Sequence, residues 1–201
     1  AGVSISKVDF GEIEQNALRA PDNEAAAKMN EKIEEIRANK DSAGGIIACR
    51  VSGIPAGLGE PVFGKLDAEL AKAILSVGAV KGIEFGAGFA AADLTGSVNN
   101  DNMRASPDGK VHFESNNAGG IIGGISNGND IFFRVAVKPV PSIFQSQKTI
   151  SVDEAGKYTD CDLVIEGRHD VCLCPRIVPV IEAMTAIVLA DLMLQARASR
   201  V

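Results

Sequence analysis

Ser115-Asn116-Asn117-Ala118-Gly119-Gly120-Ile121-Ile122-Gly123-Gly124-Ile125-Ser126-Asn127-Gly128 runs into Asn129-Asp130 and then the apolar segment Ile131-Phe132-Phe133-Arg134-Val135-Ala136-Val137. Five glycines in fourteen residues are costly to order, because glycine loses more backbone freedom on folding than any other residue. Such density implies left-handed turns, close backbone approach, or a ligand that needs bare peptide groups. The segment after it, rich in β-branched and aromatic residues, predicts a strand at Ile131 to Val137. That strand ends in Lys138-Pro139-Val140-Pro141-Ser142, where fixed proline φ angles present Lys138 and Ser142 with little entropy left to lose.

Working outward, the chain has 201 residues, 46% of them hydrophobic, enough for one sizeable core. The long apolar stretch Ile177 to Ala198 carries Pro179, Glu182 and Asp191, charges that are expensive at bilayer depth, so it predicts a buried helix and no membrane partner. A net charge of −6 argues against salt-driven nucleic-acid binding but leaves room for a local pocket for a small anion. Cys49, Cys161, Cys172 and Cys174 follow no disulfide framework and suit a reducing, cytoplasmic setting. Cys172-x-Cys174 beside His169 lacks the second pair of a zinc site, so no metal is expected.

Val3 to Val8 alternates weakly as a strand, and Asp22 or Asn23 caps a helix striped by Ala26, Met29, Ile33 and Ile36, stopped by Gly44-Gly45. Ile46 to Val51 reads as a strand and Gly53 to Gly64 as a loop. Leu66, Leu70, Ile74 and Val77 mark a second helix. Ala79 to Phe85 and Phe89 to Leu94 predict a hairpin joined by Gly86-Ala87-Gly88. Ser97 to Asp108 should be an exposed loop, Asp153 to Asp160 a polar excursion, Leu163 to Glu166 a strand, and Arg176 to Arg200 a closing helix. No repeat or linker divides residues 1–201, and the mixed order gives an α+β architecture in a single domain.

The glycine spacing is neither a dinucleotide fingerprint nor a phosphate-binding P-loop, which disfavours a nicotinamide oxidoreductase. A tightly packed glycine turn and a ligand loop fit it about equally, and the amides of Asn116 and Asn117 tilt towards the ligand. In Gly167-Arg168-His169-Asp170 a guanidinium and a carboxylate lie together before a helix start, where an anion can be held and a proton moved. A helix-capping aspartate with a surface ion pair fits the same residues.

Together these stretches resemble the C-terminal part of chorismate synthase. The resemblance rests on Gly53-Ile54-Pro55-Ala56-Gly57-Leu58-Gly59-Glu60-Pro61-Val62-Phe63, on Ala79 to Glu84, on Ser115 to Gly128, on Lys138 to Ser142, and on Arg168-His169-Asp170 with Cys172 and Pro175-Arg176, in family order across most of residues 44 to 195. It implies a β-α-β sandwich, a homotetramer, and a lyase that forms chorismate from 5-enolpyruvylshikimate 3-phosphate by 1,4-anti elimination of phosphate with reduced FMN. It places flavin contacts at Gly78, Ala79, Gly123, Arg168 and at Lys138, Pro139, Val140, Pro141 and Ser142, with Asn116 and Asn117 as further cofactor-loop candidates. Asp170 takes the position of the aspartate that assists proton removal through the flavin N5.

The sequence departs from that family pattern in three positions: Val140 stands where Thr is frequent, Val171 where Pro follows Arg-His-Asp, and Gly78 where a larger residue is usual. The family's Ser-His-Gly and Arg-Pro-Gly-His-Ala-Asp motifs do not occur in it. The expectation is therefore the C-terminal portion of a longer enzyme, inactive alone, the alternative being a non-catalytic folded fragment with weak flavin binding.

Overall fold

The structure, a computed structural model, describes residues 2–199. In chain order it contains α1 (Asn23–Ala38), β1 (Gly45–Val51), α2 (Leu66–Leu75), β2 (Val80–Phe85), a 3-10 segment (Gly88–Asp93), α3 (Gly96–Asn99), β3 (Met103–Ala105), β4 (Val111–Phe113), β5 (Ile121–Ile122), β6 (Ile125–Ser126), β7 (Ile131–Val137), β8 (Gln147–Val152), β9 (Tyr158–Leu163) and α4 (Cys174–Ser199); a 3-10 turn (Phe10–Gln15) precedes α1. Helices and mainly antiparallel strands are mixed along the chain, the α+β class expected. The residues gather into two compact units, the first made of residues 1–45 and 138–176, the second of 46–137 and 177–201.

In the second unit, β7 is the middle strand of a three-stranded sheet in the order β1-β7-β2. Its alternation puts Ile131, Phe133, Val135 and Val137 on one buried face. β2 runs antiparallel to it with Phe85 opposite Phe133, whose ring centroids lie 5.7 Å apart. Leu66, Leu70 and Ile74, spaced by four, bury one stripe of α2 completely, and α2 packs on β2. Ile177, Ile181, Thr185, Leu189 and Leu192 make the corresponding stripe of α4. Pro179 sits six residues into α4, early enough that few intrahelical bonds are lost.

α4 is long and apolar enough to cross a membrane by length and composition alone, yet only one face of it is buried. Ile187 and Leu194 are each 63% exposed. The expectation of a wholly buried helix is corrected to a one-sided one, because the buried stripe recurs every three to four residues and leaves the opposite apolar positions outward.

Five other local expectations change, the first being the Leu163 to Glu166 strand, of which Leu163 alone is extended in a ladder, as the last residue of β9. Val3 to Val8 forms no strand: the N–H groups of Ser6 and Lys7 donate to the Asp22 carboxylate instead of to a neighbouring strand. The Gly86 turn makes no hairpin, because β2 pairs with β7, Gly86 and Ala87 donate to Phe132 and Asn117 carbonyls, and Glu84 accepts the Phe89 N–H at 3.0 Å, curling the chain into the 3-10 segment. The Ser97–Asp108 stretch is exposed as expected but holds α3 and β3, the latter paired with β4. The polar excursion is the turn of a hairpin, with Gln147 to Val152 of β8 paired against Tyr158 to Leu163 of β9. Its strands are exposed and carry Ser, Thr, Lys and Asp, so no hydrophobic alternation announced them.

Asp22, fully buried, is the N-cap of α1 and accepts the N–H groups of Glu24 and Ala25 on one oxygen, and of Ser6 and Lys7 with the Ser6 hydroxyl on the other. These bonds, led by the Ser6 N–H, hold its carboxyl well below the usual carboxylate range. In the second unit Asp101 accepts Ser115 Oγ at 2.6 Å and the N–H groups of Asn117 and Ala118 at 2.7 and 2.8 Å. Burial pushes its carboxyl up, but those three bonds outweigh burial and hold it below the usual range.

A carboxylate whose folded pKa is depressed contributes stability that is complete above its unfolded value of about 3.9 and is lost as pH falls through the folded value. Melting temperatures should therefore be flat down to about pH 5 and fall steeply below about pH 4. Asp22→Asn and Asp101→Asn should each start lower at neutral pH and lose less on acidification. Parallel acid profiles for wild type and both variants would show that these caps do not set the acid limit.

Candidate functional site

The glycine loop of the second unit is built by backbone meeting backbone. A Cβ on Gly119 would stand 2.5 Å from the Gly86 nitrogen, and one on Gly120 or Gly124 would collide with the Asp130 carbonyl or the Lys65 side chain. The Gly124 carbonyl accepts the Leu66 N–H at 2.8 Å, so the loop satisfies the first turn of α2, where Lys65 offers no side-chain cap. Ser126, 3% exposed, ties the loop to the Gly53–Gly64 segment through Leu58 N–H to its Oγ at 2.9 Å and its own hydroxyl to the Pro55 carbonyl at 2.7 Å.

Asn116 and Asn117 serve this packing. Asn116 Nδ2 donates to the Asp130 carbonyl at 2.8 Å while its Oδ1 accepts the Gly120 N–H at 2.7 Å. Asn117 Nδ2 donates to the Val98 and Asn99 carbonyls. The two amides are thus engaged within the loop before any ligand arrives. Gly123 differs from its neighbours: it is exposed, has φ +61°, and a Cβ there would meet nothing within 4 Å. Within the protein's own packing the crowding therefore sits on Gly119, Gly120 and Gly124, while at Gly123 the backbone angle alone disfavours a side chain.

Gly78 and Ala79 form the turn between α2 and β2. The left-handed residue is Ala79, at φ +70°, not the glycine before it. A non-glycine residue in that region costs about 1 kcal/mol, a strain that surrounding structure must hold.

The other candidates lie in the first unit. α1 ends at Ala38, ahead of the Gly44-Gly45 stop expected from sequence, in a reversal through Lys40 at φ +59°. The Asp41 N–H returns to the Ile36 carbonyl and the Lys40 N–H to Arg37, a Schellman closure with lysine where glycine is usual. The following Ser42 hydroxyl donates to the Val140 carbonyl at 2.6 Å, Gln145 Nε2 to the Asn39 carbonyl at 2.8 Å, and the Phe144 N–H to the Lys40 carbonyl at 3.2 Å. These bonds fasten the proline-rich turn to the end of α1. On its other side, Ala43 N–H donates to the Val171 carbonyl at 2.7 Å and fixes the segment before α4.

Between these segments of the first unit is a hollow of about 250 Å³. Ser142, Arg168 and Asp170 all line it, with Arg37, Lys40 and Phe144. Lys138, Pro139, Val140 and Pro141 lead into it without lining it. His169 stacks obliquely on Phe144, centroids 5.4 Å apart, and its Nε2 lies 3.2 Å from the Ile165 carbonyl, which gives the ring a structural anchor. Asp170 does not pair with Arg168 as the sequence neighbourhood suggested. Its Oδ2 meets Arg176 Nη1 at 2.9 Å, because α4 brings its third residue back over the segment that precedes it.

Arg37, Lys40 and Arg168 face two carboxylates, Asp41 and Asp170, across the hollow, which leaves cations in excess by one. Arg37 is paired with Glu34 across α1, but Lys40 and Arg168 have no ion-pair partner among the described residues. Unpaired cations, the Ser142 hydroxyl and an aromatic pair suit an anionic, planar, hydrogen-bond-accepting group, a phosphate or a flavin ring. The donor set therefore fits the cofactor that the sequence resemblance implies. Arg37, Lys40 and Phe144 were not singled out from sequence, and Arg176 only as part of the Pro175-Arg176 match. Lys40 reads from sequence as part of the wet side of an amphipathic helix, and a lysine two residues past a helix end is the one local sign of the left-handed cap.

The chorismate synthase family model matches residues 2–194. The chain is 53% identical over 194 residues to chorismate synthase of Syntrophobacter fumaroxidans, covering 96% of this chain and 53% of that protein. It is 52% identical over 198 residues to chorismate synthase of Methanosarcina mazei, covering 96% and 53%, and 51% identical over 187 residues to that of Cytophaga hutchinsonii, covering 93% and 51%. A crystal structure of chorismate synthase superimposes with a TM-score of 0.75 at 32% identity, over 92% of this chain and 48% of the other. The chain thus spans about half the length of the curated relatives it matches, and the likeness covers the glycine loop, the proline-rich turn and the Arg-His-Asp segment alike. By sequence and by fold, this chain belongs to the chorismate synthase family.

Proposed function

We propose that this chain supplies part of the machinery of a cytoplasmic lyase that converts 5-enolpyruvylshikimate 3-phosphate to chorismate and phosphate, with reduced FMN as its cofactor. The observation that carries the reading is the first-unit hollow, where unpaired Lys40 and Arg168 stand beside a carboxylate, Asp170, held by Arg176. Bound reduced FMN supplies electron density to the departure of phosphate. The chain's own part is to hold and to take up protons. Lys40, Arg168 and the Ser142 hydroxyl bind anionic or carbonyl oxygens, as charge-assisted donors do best. Arg176 holds Oδ2 of Asp170 at 2.9 Å, leaving the other carboxylate oxygen to accept a proton.

The resemblance also assigns to cofactor binding the glycine loop with Asn116, Asn117 and Gly123 and the Gly78-Ala79 turn of the second unit, and, in the first unit, Lys138 to Val140 ahead of Ser142. The two compact units belong to one domain of a homotetrameric enzyme. A second reading, a folded portion that binds flavin weakly and does not turn over alone, is favoured by the match to about half the length of the relatives. Incubating the isolated chain with 5-enolpyruvylshikimate 3-phosphate and reduced FMN separates the two. Chorismate above a no-protein control would retire the second reading, and flavin binding without product would support it.

Cation and strain effects separate at Lys40. Lys40→Gly relieves a left-handed side chain and should leave stability unchanged or raise it by roughly 0.5–1 kcal/mol. It should still weaken FMN binding, as should Arg168→Ala, each by about tenfold for the loss of a charge-assisted bond. Flavin titration and melting curves of both variants measure this, and unaltered affinity in both would remove the hollow from the cofactor site.

At Gly119 and Gly123 the two meanings of glycine part in the same way. Gly119→Ala should cost about 2 kcal/mol or more through backbone collision, and Gly123→Ala about 1 kcal/mol through its angle alone. Equal losses in urea titrations of the two variants would mean that crowding does not govern the loop. In an enzyme of full family length carrying this chain, Asp170→Asn should lower kcat by about 10²–10⁴ with flavin affinity nearly kept, as loss of a positioned base does. A change within a few-fold would leave Asp170 as the partner of Arg176 and nothing more.

A further inference from the structure

Cys172 and Cys174 stand apart from the chemistry proposed above and from each other by a single residue. Both are half-buried, and both lie against the same short segment of the first unit. Cys172 forms a parallel bridge with Ala43, and Cys174 Sγ occupies the space over Gly45, 2.8 Å from where a Cβ on that glycine would be. Residues 43 and 45 thus receive residues 172 and 174 in step, which turns the two thiols to one side. Gly45 is what admits the second sulfur, since any side chain there would displace it.

Cys174 is the first residue of α4, and Cys172 stands two positions before it. Two residues of chain span at most about 7 Å between Cα atoms, within reach of the 4.4–6.8 Å that a disulfide usually needs.

We propose that Cys172 and Cys174 form a reversible thiol–disulfide site, oxidised by hydroperoxides, at the start of α4. The sulfur of Cys172 attacks the nearer oxygen of the peroxide. An S–O bond forms as the O–O bond breaks, two electrons leave sulfur, and the other oxygen departs with a proton as alcohol, or as water from hydrogen peroxide. Cys174 sulfur then attacks the sulfenic sulfur: the S–S bond forms, the S–O bond breaks, and hydroxide leaves with the Cys174 proton as a second water. Per hydrogen peroxide, two thiols become one disulfide and two waters.

Attack begins at Cys172. The neighbouring Cys174 thiol and N–H, against an opposing contribution from burial, bring the Cys172 thiol below its ordinary value, while the Cys174 thiol, beside Cys172 and also buried, is pushed up. A helix N-terminus favours a thiolate in the same place. Cys49 is the internal contrast. Burial pushes its thiol up to about 11, so it should be inert under the same conditions.

The test uses the chain as it is, treated with a slight excess of hydrogen peroxide at about pH 6.5, where only a lowered thiol is appreciably ionised. Tryptic mapping should find a Cys172–Cys174 link in most molecules, with Cys49 still alkylatable, and dithiothreitol should restore two free thiols. Before oxidation, Cys172 should react with iodoacetamide at least about tenfold faster than Cys49. Cys174→Ser should stop at the sulfenic acid, captured on Cys172 by dimedone. The proposal falls if peroxide leaves both thiols free, if Cys172 passes to sulfinic acid without a link, or if all four cysteines label at similar rates. The wild-type mapping decides the matter even if the variant does not fold. None of these readouts involves flavin or turnover, so they stand or fall apart from the lyase reading.

Discussion

The second unit depends on peptide groups lying directly against one another. Gly59 faces the Gly124 carbonyl, Gly86 the Asn117 carbonyl and the Gly119 nitrogen, and Gly120 the Asp130 carbonyl. Side chains would hold these segments a methyl's width further apart. The hydrogen bonds that run across the contacts, Gly86 N–H to Phe132, Phe132 N–H to Gly119, and Leu66 N–H to Gly124, would then be stretched or lost. One loop therefore caps α2, ends β2 and leads into β7. Its high glycine content is costly in chain entropy and is offset by satisfying buried backbone groups that no side chain could reach.

The first unit uses a different device. Its segments are joined by carboxylate, hydroxyl and carbonyl groups acting at chain reversals: Asp22 gathers the N-terminal stretch onto α1, and the left-handed Lys40 turns the chain so that Ser42 and Ala43 can bond to the proline-rich turn and to Val171. The same reversal delivers Lys40 to the hollow. A glycine would close that Schellman turn with less strain, yet would bring no charge. Ala79 shows the same preference for a strained non-glycine residue where the turn itself would favour glycine.

Charge in the first unit follows from what each group meets. Asp170 is neutralised by Arg176, not by its sequence neighbour, which leaves Arg168 free of ion pairs among the described residues. Cys172 and Cys174, both half-buried, meet Ala43 and Gly45 at the start of α4.

Sequence alone was strong where periodicity or composition is local. The stripe Leu66, Leu70, Ile74 gave α2, the alternating β-branched run gave β7 with the bounds it has, and the family motifs marked the glycine loop, the proline-rich turn and the Arg-His-Asp segment. It misread Val3 to Val8, the Gly86 turn and the β8–β9 hairpin, because whether a short extended stretch becomes a strand depends on a partner elsewhere, and polar two-sided strands carry no alternation. By itself, then, the sequence determined the α+β class, the family and the segments that matter, since helix periodicity, turn chemistry and motif order are written along the chain. Only tertiary structure decided that Asp170 answers to Arg176, that Lys40 joins the hollow, and that Gly119, not Gly123, is the crowded glycine. Those outcomes are set by distances between segments, and distance in space has no local signature in sequence.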